Sequence, residues 1–394
     1  MINTPRANRL HISLFGRRNA GKSSIVNAVT NQELSLVSNT PGTTTDPVLK
    51  SMELLPLGPV VIIDTAGLDD EGALGKLRID KTYEIMDKTN IALLVFTSSS
   101  DYLMEEEWYK ELKKRNITTI GVINKIDSLN IDDTDLKKKF EIPFVKISAK
   151  NKINIGELKE AIIENAPSDF ERDTIVGDIL KAKDMVVVVA PQDIQAPKGR
   201  LILPQVQVIR DILDHDAMAL TVKDSELPSI LHSLNKQPDL VITDSQIFKK
   251  VNEILPKDIP LTSFSILMAR YKGDLDMFTS GAKAVNILKP GDRILIAEAC
   301  THHALKNDIA REKIPMWLKE KVGGEILIDV TSGGDFPKDL TPYSLIVHCG
   351  SCMFTRKQLL SRLSRCKEQN VPITNFGVLI AELNGILTKV TTMF

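Results

Sequence analysis

A glycine-rich segment near the start of the chain, GRRNAGKS, has the residue types and the spacing of a phosphate-binding loop. It lies between an apolar run, HISLF, and a helical pattern, SIVNAVT, and this is the context that such a loop requires. Backbone N–H groups of the loop and of the helix N-terminus would then surround phosphate groups. Lys22 would reach the β- and γ-phosphates of a nucleotide, and the Ser23 hydroxyl would bind Mg²⁺. The residues predicted to bind nucleotide here are Gly16, Asn19, Ala20, Gly21, Lys22, Ser23 and Ser24.

Three later motifs complete a guanine-nucleotide site. In VVIIDTAG, Asp64 would hold Mg²⁺ through water, and the amide of Gly67 would approach the γ-phosphate. In NKID, Asp127 can accept hydrogen bonds from both N1–H and the exocyclic amine of guanine, whereas adenine offers no such pair of donors. Because the motifs occur in this order, the sequence predicts GTP as the nucleotide. The other residues predicted near the base are Asn124 and Lys125 of NKID, and Ser148 and Ala149 of ISAK.

The segment PGTTTD, residues 41–46, lies where GTPases carry the first switch loop. We favour Thr44 over Thr43 as a Mg²⁺ ligand when the γ-phosphate is present, and a plain threonine-rich turn is the alternative. Leu68 follows DTAG, at the place where Ras-like enzymes have the glutamine that orients water. We therefore predict slow unassisted hydrolysis. The residues predicted to act on the phosphates are Lys22, Thr44, Asp64 and Gly67.

Cysteine and histidine residues at the ends of two apolar runs form a second constellation. Cys300 and His302 follow RILIAEA. His348, Cys349 and Cys352 follow SLIV. If both runs are neighbouring strands of a parallel sheet, their carboxyl ends lie at one edge, where ligands bind. Three thiolates with nearby imidazoles fit a soft metal site, either zinc or an iron–sulfur cluster, and buried cysteines with hydrogen-bonded histidines are the alternative.

Alternating strands and helices must position these motifs. Up to residue 166, HISLFG, VVIID, IALLVF, TIGVIN and FVKIS are apolar strand patterns followed by helices, which is typical of a doubly wound α/β sheet. MVVVVA, ALTVKD and DLVITD belong to a small α/β domain with four apolar strands, and DRILIAEAC, EILIDV and YSLIVHC predict a third, parallel α/β domain. We place the domains at residues 1–168, 169–262 and 263–394.

Composition and charge narrow the class of protein. The chain has 394 residues, 43% hydrophobic and 26% charged, which is typical of a soluble globular protein with two or three domains. Lys and Arg number 50 and Asp and Glu 51, so no global basic field attracts nucleic acid. The sequence has neither an apolar run of bilayer length nor a signal-peptide pattern, so we expect a cytoplasmic protein without membrane contact.

The motifs GRRNAGKSS, PGTTTD, DTAGL and NKID together resemble the GTPases of the Era and tRNA-modification type. In relatives with the asparagine that is Asn19 here, this residue and a structured first switch bind K⁺. The ion acts where other GTPases use an arginine finger. The resemblance therefore implies hydrolysis that potassium stimulates.

A GTPase of this type followed by the cysteine constellation resembles the HydF family, the maturation GTPases of iron–iron hydrogenase. APKGRLILPQ is also similar to that family, and the resemblance covers the whole chain: a GTPase domain, a middle dimerisation domain and a C-terminal domain with a 4Fe-4S cluster. It implies Cys300, Cys349 and Cys352 as ligands, which leaves one iron exchangeable to receive or present a diiron fragment. His302 and His348 match histidines of the family, either as a labile fourth ligand or as outer groups.

The resemblance also implies partners and cofactors. The partners are a second copy of the chain in a homodimer or higher oligomer, radical-SAM hydrogenase maturases and the apo-hydrogenase. The cofactors are GTP, Mg²⁺, K⁺ and the 4Fe-4S cluster. Two other classes stay open: a ribosome- or RNA-assembly GTPase with a structural zinc site, and an electron carrier, which normally has four thiolates. We predict a structural thiol at Cys366 and a surface residue at His303.

Overall fold

The structure is a computed structural model, and its contacts divide the chain into two compact units, residues 1–170 and 171–394. The division falls two residues after the first predicted boundary, at 168. Residues 73–80 are described for their backbone alone. The residues that the structure describes are 4–31, 47–65, 73–97, 102–129, 133–168, 174–191, 201–299 and 308–394.

One six-stranded sheet forms the centre of the first unit in its described residues. The strands are β1 Leu10–Phe15, β2 Val48–Leu54, β3 Gly58–Asp64, β4 Ile91–Phe96, β5 Thr118–Ile123 and β6 Phe144–Lys146. Their order is β2-β3-β1-β4-β5-β6, and all neighbours are parallel except β2, which pairs antiparallel with β3. The carboxyl ends of the parallel strands therefore lie at one edge, where such sheets bind ligands.

Helices cover both faces of this sheet. They are α1 Lys22–Thr30, α2 Ala73–Lys88, α3 Leu103–Lys114, α4 Thr134–Lys139 and α5 Ile155–Glu164. Successive side chains of β4 point to opposite faces: Leu93 packs in one core with Ile25 of α1, and Leu94 packs in another with Leu112 of α3. This double burial confirms the predicted doubly wound α/β fold, because strands covered on both faces have continuous apolar sequences.

Burial of His11 in β1 makes the stability of the first unit depend on pH. Its backbone N–H donates to Asn90 Oδ1 at 2.9 Å, and its Nδ1 lies 2.8 Å from the carbonyl oxygen of Arg9. Burial lowers the pKa of His11 from 6.5 to about 4. Below about pH 6.5 the His11 imidazole is therefore protonated in the unfolded chain, whereas in the folded unit it stays neutral down to about pH 4. The free energy of unfolding is therefore highest above pH 6.5, where His11 is neutral in both states, and it decreases as the pH falls from 6.5 to about 4.

We expect the free energy of unfolding of the first unit to fall by about 3 kcal/mol between pH 7 and pH 4 through His11 alone. His11→Gln should remove that part of the pH dependence, since glutamine does not titrate there. Denaturant unfolding of the full chain followed by the fluorescence of Trp108, in a Trp317→Phe background, measures it. An identical pH dependence in His11→Gln would show that this histidine does not cause the loss.

Two smaller sheets form the second unit. In the middle sheet the strands are β7 Met185–Val189, β8 Met218–Val222, β9 Leu240–Thr243 and β10 Leu261–Ser263. In the last sheet they are β11 Arg293–Glu298, β12 Leu327–Ser332, β13 Leu345–His348 and β14 Ile373–Asn375. The orders are β10-β9-β7-β8 and β12-β11-β13-β14, and all of these pairs are parallel. The parallel C-terminal sheet is as predicted.

The two small sheets share one hydrophobic core, so they form a single unit. Val187 and Val241 of the middle sheet belong to the same buried cluster as Leu295 of the last sheet. A Cβ on Gly281 would lie 1.9 Å from the Ile373 carbonyl oxygen, so only glycine permits this close approach. The helices are α6 Leu203–Asp214, α7 Leu227–Ser233, α8 Phe248–Ile254, α9 Phe264–Lys272, α10 Leu275–Ala282, α11 Ile314–Val322, α12 Arg356–Glu368, α13 Phe376–Leu383 and α14 Leu387–Thr391.

The second predicted boundary, between residues 262 and 263, falls inside β10. This strand pairs with β9 and is the fourth strand of the middle sheet, so the change from one sheet to the next comes later in the chain. The following helix, α9, also packs its apolar side chains in a core with β7 and β9. Two of the three residues of β10, Thr262 and Ser263, are polar, so this strand shows no apolar pattern of its own. Among the described helices, none has both the length and the hydropathy for a bilayer crossing.

Candidate nucleotide and cluster sites

The loop between β1 and α1 has a backbone that requires small residues. Gly16 has a φ of 151°, and a Cβ there would lie 2.8 Å from the carbonyl oxygen of Val95. Gly21 has a φ of 89°, and a Cβ there would lie 2.3 Å from Nδ2 of Asn124. Asn19 has a left-handed φ of 58°, a conformation that asparagine tolerates better than most residues. The chain can therefore form the tight phosphate-binding turn that the sequence predicts.

Lys22 holds its ammonium group over this loop. Its Nζ donates to the carbonyl oxygens of Gly16 and Arg17 at 2.8 and 2.9 Å, and only 7% of the residue is exposed. The guanidinium group of Arg17 pairs with both oxygens of Glu105 on α3, at 2.9 and 3.2 Å. Glu105 is almost fully buried, so this pair fixes the loop to the body of the unit. A positive charge is thereby held where phosphates bind such loops.

Ser23, at the start of α1, and Asp64, at the end of β3, lie next to each other. The Ser23 hydroxyl donates to Oδ2 of Asp64 at 2.5 Å, while Oδ1 of Asp64 is buried and has no hydrogen-bond partner among the described residues. Burial raises the pKa of Asp64, and the Ser23 hydrogen bond opposes that shift. A buried carboxylate oxygen that lacks a partner costs free energy, and a hard cation with oxygen ligands would satisfy it. These two residues therefore fit a Mg²⁺ ion.

Asn124 connects the phosphate loop to the segment that would surround the base. Its Nδ2 donates to the carbonyl oxygen of Ala20 at 2.9 Å, and its Oδ1 accepts from the N–H of Ala149 at 3.1 Å. The Ser148 hydroxyl donates to Oδ1 of Asp127 at 2.6 Å, and this bond is the main cause that lowers the pKa of Asp127. Asp127 is therefore a carboxylate at neutral pH, able to accept further hydrogen bonds.

The remaining predicted nucleotide residues divide into two groups. Ser24 is half-buried in the first turn of α1, and Lys125 has a left-handed φ of 67° beside Asn124. Thr44 of the first switch and Gly67 after β3 lie outside the described residues. The structure thus brings the loop, the Mg²⁺ residues and the base-side residues to one edge of the sheet.

The ends of β11 and β13 bring two cysteine-bearing segments together. These strands are parallel neighbours, with Ala297 opposite His348. The N–H of Cys349 donates to the carbonyl oxygen of Ala297 at 2.9 Å, and the N–H of Ala299 donates to the sulfur of Cys349 at 3.0 Å. Cys300, next in the chain, lies outside the described residues, as do residues 301–307, which include His302, a predicted site residue, and His303, a predicted surface residue.

The turn after β13 carries the other two predicted thiols. Cys349 and Cys352 are both half-buried, and Ser351 between them has a left-handed φ of 55°. Within the described ranges no three His, Cys, Asp or Glu side chains converge as a metal site would require. Two thiols at a sheet edge, one of which accepts a backbone N–H, fit the cysteine ligation of an iron–sulfur cluster, whose properties depend on such bonds to sulfur.

His348 has both ring nitrogens engaged within the chain. Its Nδ1 lies 2.9 Å from the Cys349 carbonyl oxygen and 3.1 Å from the Ser351 hydroxyl, and its Nε2 lies 2.9 Å from Nη1 of Arg362. Arg362 can only donate, so Nε2 accepts and Nδ1 carries the proton. Burial and then the charge of Arg362 lower the pKa of His348 to about 3. Of its two predicted roles, this arrangement favours that of an outer group over that of an iron ligand.

Arg362 of α12 is a site residue that the sequence does not reveal. Its guanidinium carbon lies 4.5 Å from the ring centre of Phe336 and 4.4 Å from that of Phe354, and Nη2 donates to the Gly333 carbonyl oxygen at 2.6 Å. It thereby joins the loop after β12 to the cysteine turn. On the same helix, Cys366 is buried, and burial raises its pKa to about 12, in keeping with a structural thiol.

Family models match three segments of the chain, residues 11–125, 175–273 and 276–393. A model of the hydrogen maturase F dimerization domain matches residues 175–273, and a model of the hydrogen maturase F tetramerization domain matches residues 276–393. This chain belongs to the hydrogen maturase F family. A model described as a 50S ribosome-binding GTPase matches residues 11–125 of this hydrogen maturase F chain, which include the phosphate loop and the start of NKID.

Curated relatives resemble a part of this hydrogen maturase F chain. GTPase Der of Sulfurimonas denitrificans is 35% identical over 171 residues, which are 40% of this chain and 34% of that protein. The tRNA modification GTPase MnmE of Natranaerobius thermophilus is 29% identical over 217 residues, which are 54% of this chain and 45% of that protein. The chain therefore spans between a third and a half of the length of these relatives.

Solved structures give low overall scores. The G domain of the T. maritima FeoB iron transporter has a TM-score of 0.31 and 26% identity, with 40% of this chain and 98% of that one covered. Aquifex aeolicus Era bound to GDP.AlF4- has a TM-score of 0.37 and 17% identity, with 82% and 93% covered.

Proposed function

We propose that this hydrogen maturase F chain hydrolyses GTP and acts as a scaffold or carrier in assembling the diiron site of iron–iron hydrogenase, with a 4Fe-4S cluster at the cysteine turn. The observation that carries the proposal is the bond between the Ala299 N–H and the sulfur of Cys349. This contact brings two cysteine-bearing segments to one sheet edge, in a chain that begins with a phosphate loop.

At the nucleotide site, the chain's own groups bind and orient GTP. Backbone N–H groups of the loop and the ammonium group of Lys22 offset the negative charge of the β- and γ-phosphates. Ser23 and Asp64 hold Mg²⁺, which when bound neutralises the charge that develops between these phosphates. Thr44 would bind Mg²⁺ when the γ-phosphate is present, and the amide of Gly67 would approach that phosphate. Hydrolysis is slow, since Leu68 cannot orient water.

At the cluster site, Cys300, Cys349 and Cys352 supply three thiolates. Four irons with three protein thiolates leave one coordination position for an exchangeable ligand, which suits a protein that receives and releases a diiron fragment. A pure electron carrier would close all four positions. His348 stabilises the turn that carries Cys349 and Cys352 through its hydrogen bonds and does not bind iron.

Oligomerisation and the nucleotide state would regulate the transfer of the diiron fragment. The matches to dimerization and tetramerization domains support self-association through the second unit. In our proposal the GTP and GDP forms differ in affinity for radical-SAM maturases and for the apo-hydrogenase, so the nucleotide acts as a timer. Equal affinities of both forms for these partners would exclude the timer.

Potassium dependence tests the proposed nucleotide chemistry. We expect GTP hydrolysis to be about tenfold faster in K⁺ than in Na⁺, because a cation beside Asn19 would stabilise the charge of the transition state. Asn19→Ala should remove the difference while GTP still binds. Asn116→Ala is the matched control, since Asn116 has a similar left-handed φ, 49° against 58°, and is outside the phosphate loop. Equal rates of the unaltered chain in both salts would contradict the potassium site.

A further inference from the structure

Lys272, the last residue of α9, lies buried beneath the cysteine turn. Only 2% of the residue is exposed. Its Nζ donates to the carbonyl oxygens of Ser351, Cys352 and Phe354, at 3.3, 3.2 and 2.8 Å. One ammonium group therefore binds three carbonyl oxygens of a four-residue segment that includes a predicted cluster ligand.

A lysine at position 272 would destabilise the fold if its side chain only filled space. Removing an ammonium group from water is unfavourable unless hydrogen bonds replace the lost hydration. Methionine would fill a similar volume without that cost. The charge and the three donors of Lys272 are thus what distinguish it from an apolar residue here, and both act on the turn.

The turn has a conformation that needs such support. Ser351 has a φ of 55°, which is unfavourable for a residue with a Cβ and persists where the surroundings fix it. Its carbonyl oxygen accepts from Lys272 and also from the N–H of Phe354 at 3.0 Å. Its hydroxyl bonds to His348, which Arg362 holds from the other side. Two cationic side chains, one from α9 and one from α12, therefore fix the turn.

The helix that carries Lys272 belongs to the core of the middle sheet. Leu267, Met268 and Tyr271 of α9 are buried with Val186 and Val188 of β7. The lysine falls within the match to the dimerization domain, which ends at residue 273, whereas the cysteine turn falls within the match to the tetramerization domain. The middle sheet thus supplies the support for a turn in the neighbouring domain.

We propose that Lys272 is a positioning residue: it holds the Cys349–Cys352 turn in a ligand-ready geometry before the cluster is bound, and it places a fixed positive charge beside the bound cluster. The inference rests on the proposed function, because the second part presumes a cluster on these thiols. A positive charge near the cluster favours the reduced state, which carries one more negative charge, so Lys272 raises the reduction potential.

The test compares Lys272→Met with Arg270→Met in the full-length chain. Arg270 is two residues earlier on α9 and is also mostly buried, but it binds Asp178 and the Ile175 carbonyl oxygen rather than the turn. We expect Lys272→Met to speed amide hydrogen exchange at residues 351–354 of the metal-free chain. After anaerobic reconstitution with iron and sulfide, a chelator should remove its iron about tenfold faster, and its potential should move to more negative values. Arg270→Met should change none of these.

The outcomes separate this inference from the function on which it rests. Unchanged chelation rate and potential in Lys272→Met would overturn the proposal. If the unaltered chain binds no iron, the proposed function fails. The positioning role would still stand if the Phe354 amide exchanges slowly in the unaltered chain and fast in Lys272→Met. Should Lys272→Met not fold, Lys272→Gln retains donors without the charge, and a potential equal to that of the unaltered chain would refute the role of the charge.

Discussion

Asp127→Asn is expected to weaken GTP binding by at least about a hundredfold and to create affinity for xanthosine triphosphate. The Asp127 carboxylate can accept from both N1–H and the exocyclic amine of guanine, and its lowered pKa keeps it charged at neutral pH. In the variant, an amide donor would face the guanine amine. Xanthine has a carbonyl oxygen at that position, which accepts from the new donor. Fluorescence titration with labelled GTP and XTP measures both affinities.

Asp133→Asn is the control for this change of base preference. Asp133 is also an aspartate of the first unit, but its carboxylate pairs with Lys137 and Lys146, at 2.8 and 2.9 Å, rather than with Ser148. We expect its nucleotide preference to match that of the unaltered chain. GTP affinity that survives in Asp127→Asn, or XTP affinity that appears in the control, would contradict the assignment of the base site.

Cys349→Ala is expected to abolish stable binding of the cluster and leave GTP hydrolysis nearly intact. The variant loses the one sulfur that the structure shows in contact with both cysteine-bearing segments, so iron retention should fall to about a tenth or less. The nucleotide residues all lie in the other unit, residues 1–170. Iron and sulfide analysis after anaerobic reconstitution, with GTPase rates on the same samples, measures both effects.

Cys366→Ala is the matched control for the loss of a thiol. Cys366 is fully buried on α12, where it packs in the hydrophobic core of the second unit and burial raises its pKa to about 12. Its removal should lower stability through lost packing but leave the iron content unchanged. Equal iron loss in both cysteine variants would mean that Cys349 acts through the fold and not as a ligand.

The strands that the sequence predicts correctly are long and buried on both faces. IALLVF and MVVVVA show this best, because continuous apolar residues in a parallel sheet identify a strand without any turn signal. Strand β2 has no such pattern: Lys50, Ser51 and Glu53 make it polar, as suits an exposed edge. Strands β10 and β14 have three residues each, of which two are polar, so no apolar run marks them. The second predicted domain boundary falls within β10 for the same reason.

The nucleotide site could be predicted because its residues form local motifs, whereas the support of the cysteine turn could not. Lys272 is 79 residues before Ser351 in the chain, and its only signal in the sequence is its place four residues after the buried Met268. Arg362, on helix α12, binds His348, but nothing in the sequence distinguishes it from the other arginines of α12. A buried cation of this kind is defined by tertiary packing, so a motif search cannot find it.

The amounts of iron, acid-labile sulfide and zinc per chain after anaerobic reconstitution decide whether this protein carries the proposed cluster. The proposed cluster predicts about four iron and four sulfide for each chain, with no zinc, and a paramagnetic signal on reduction. One zinc per chain without sulfide would contradict the account and favour a GTPase with a structural zinc site.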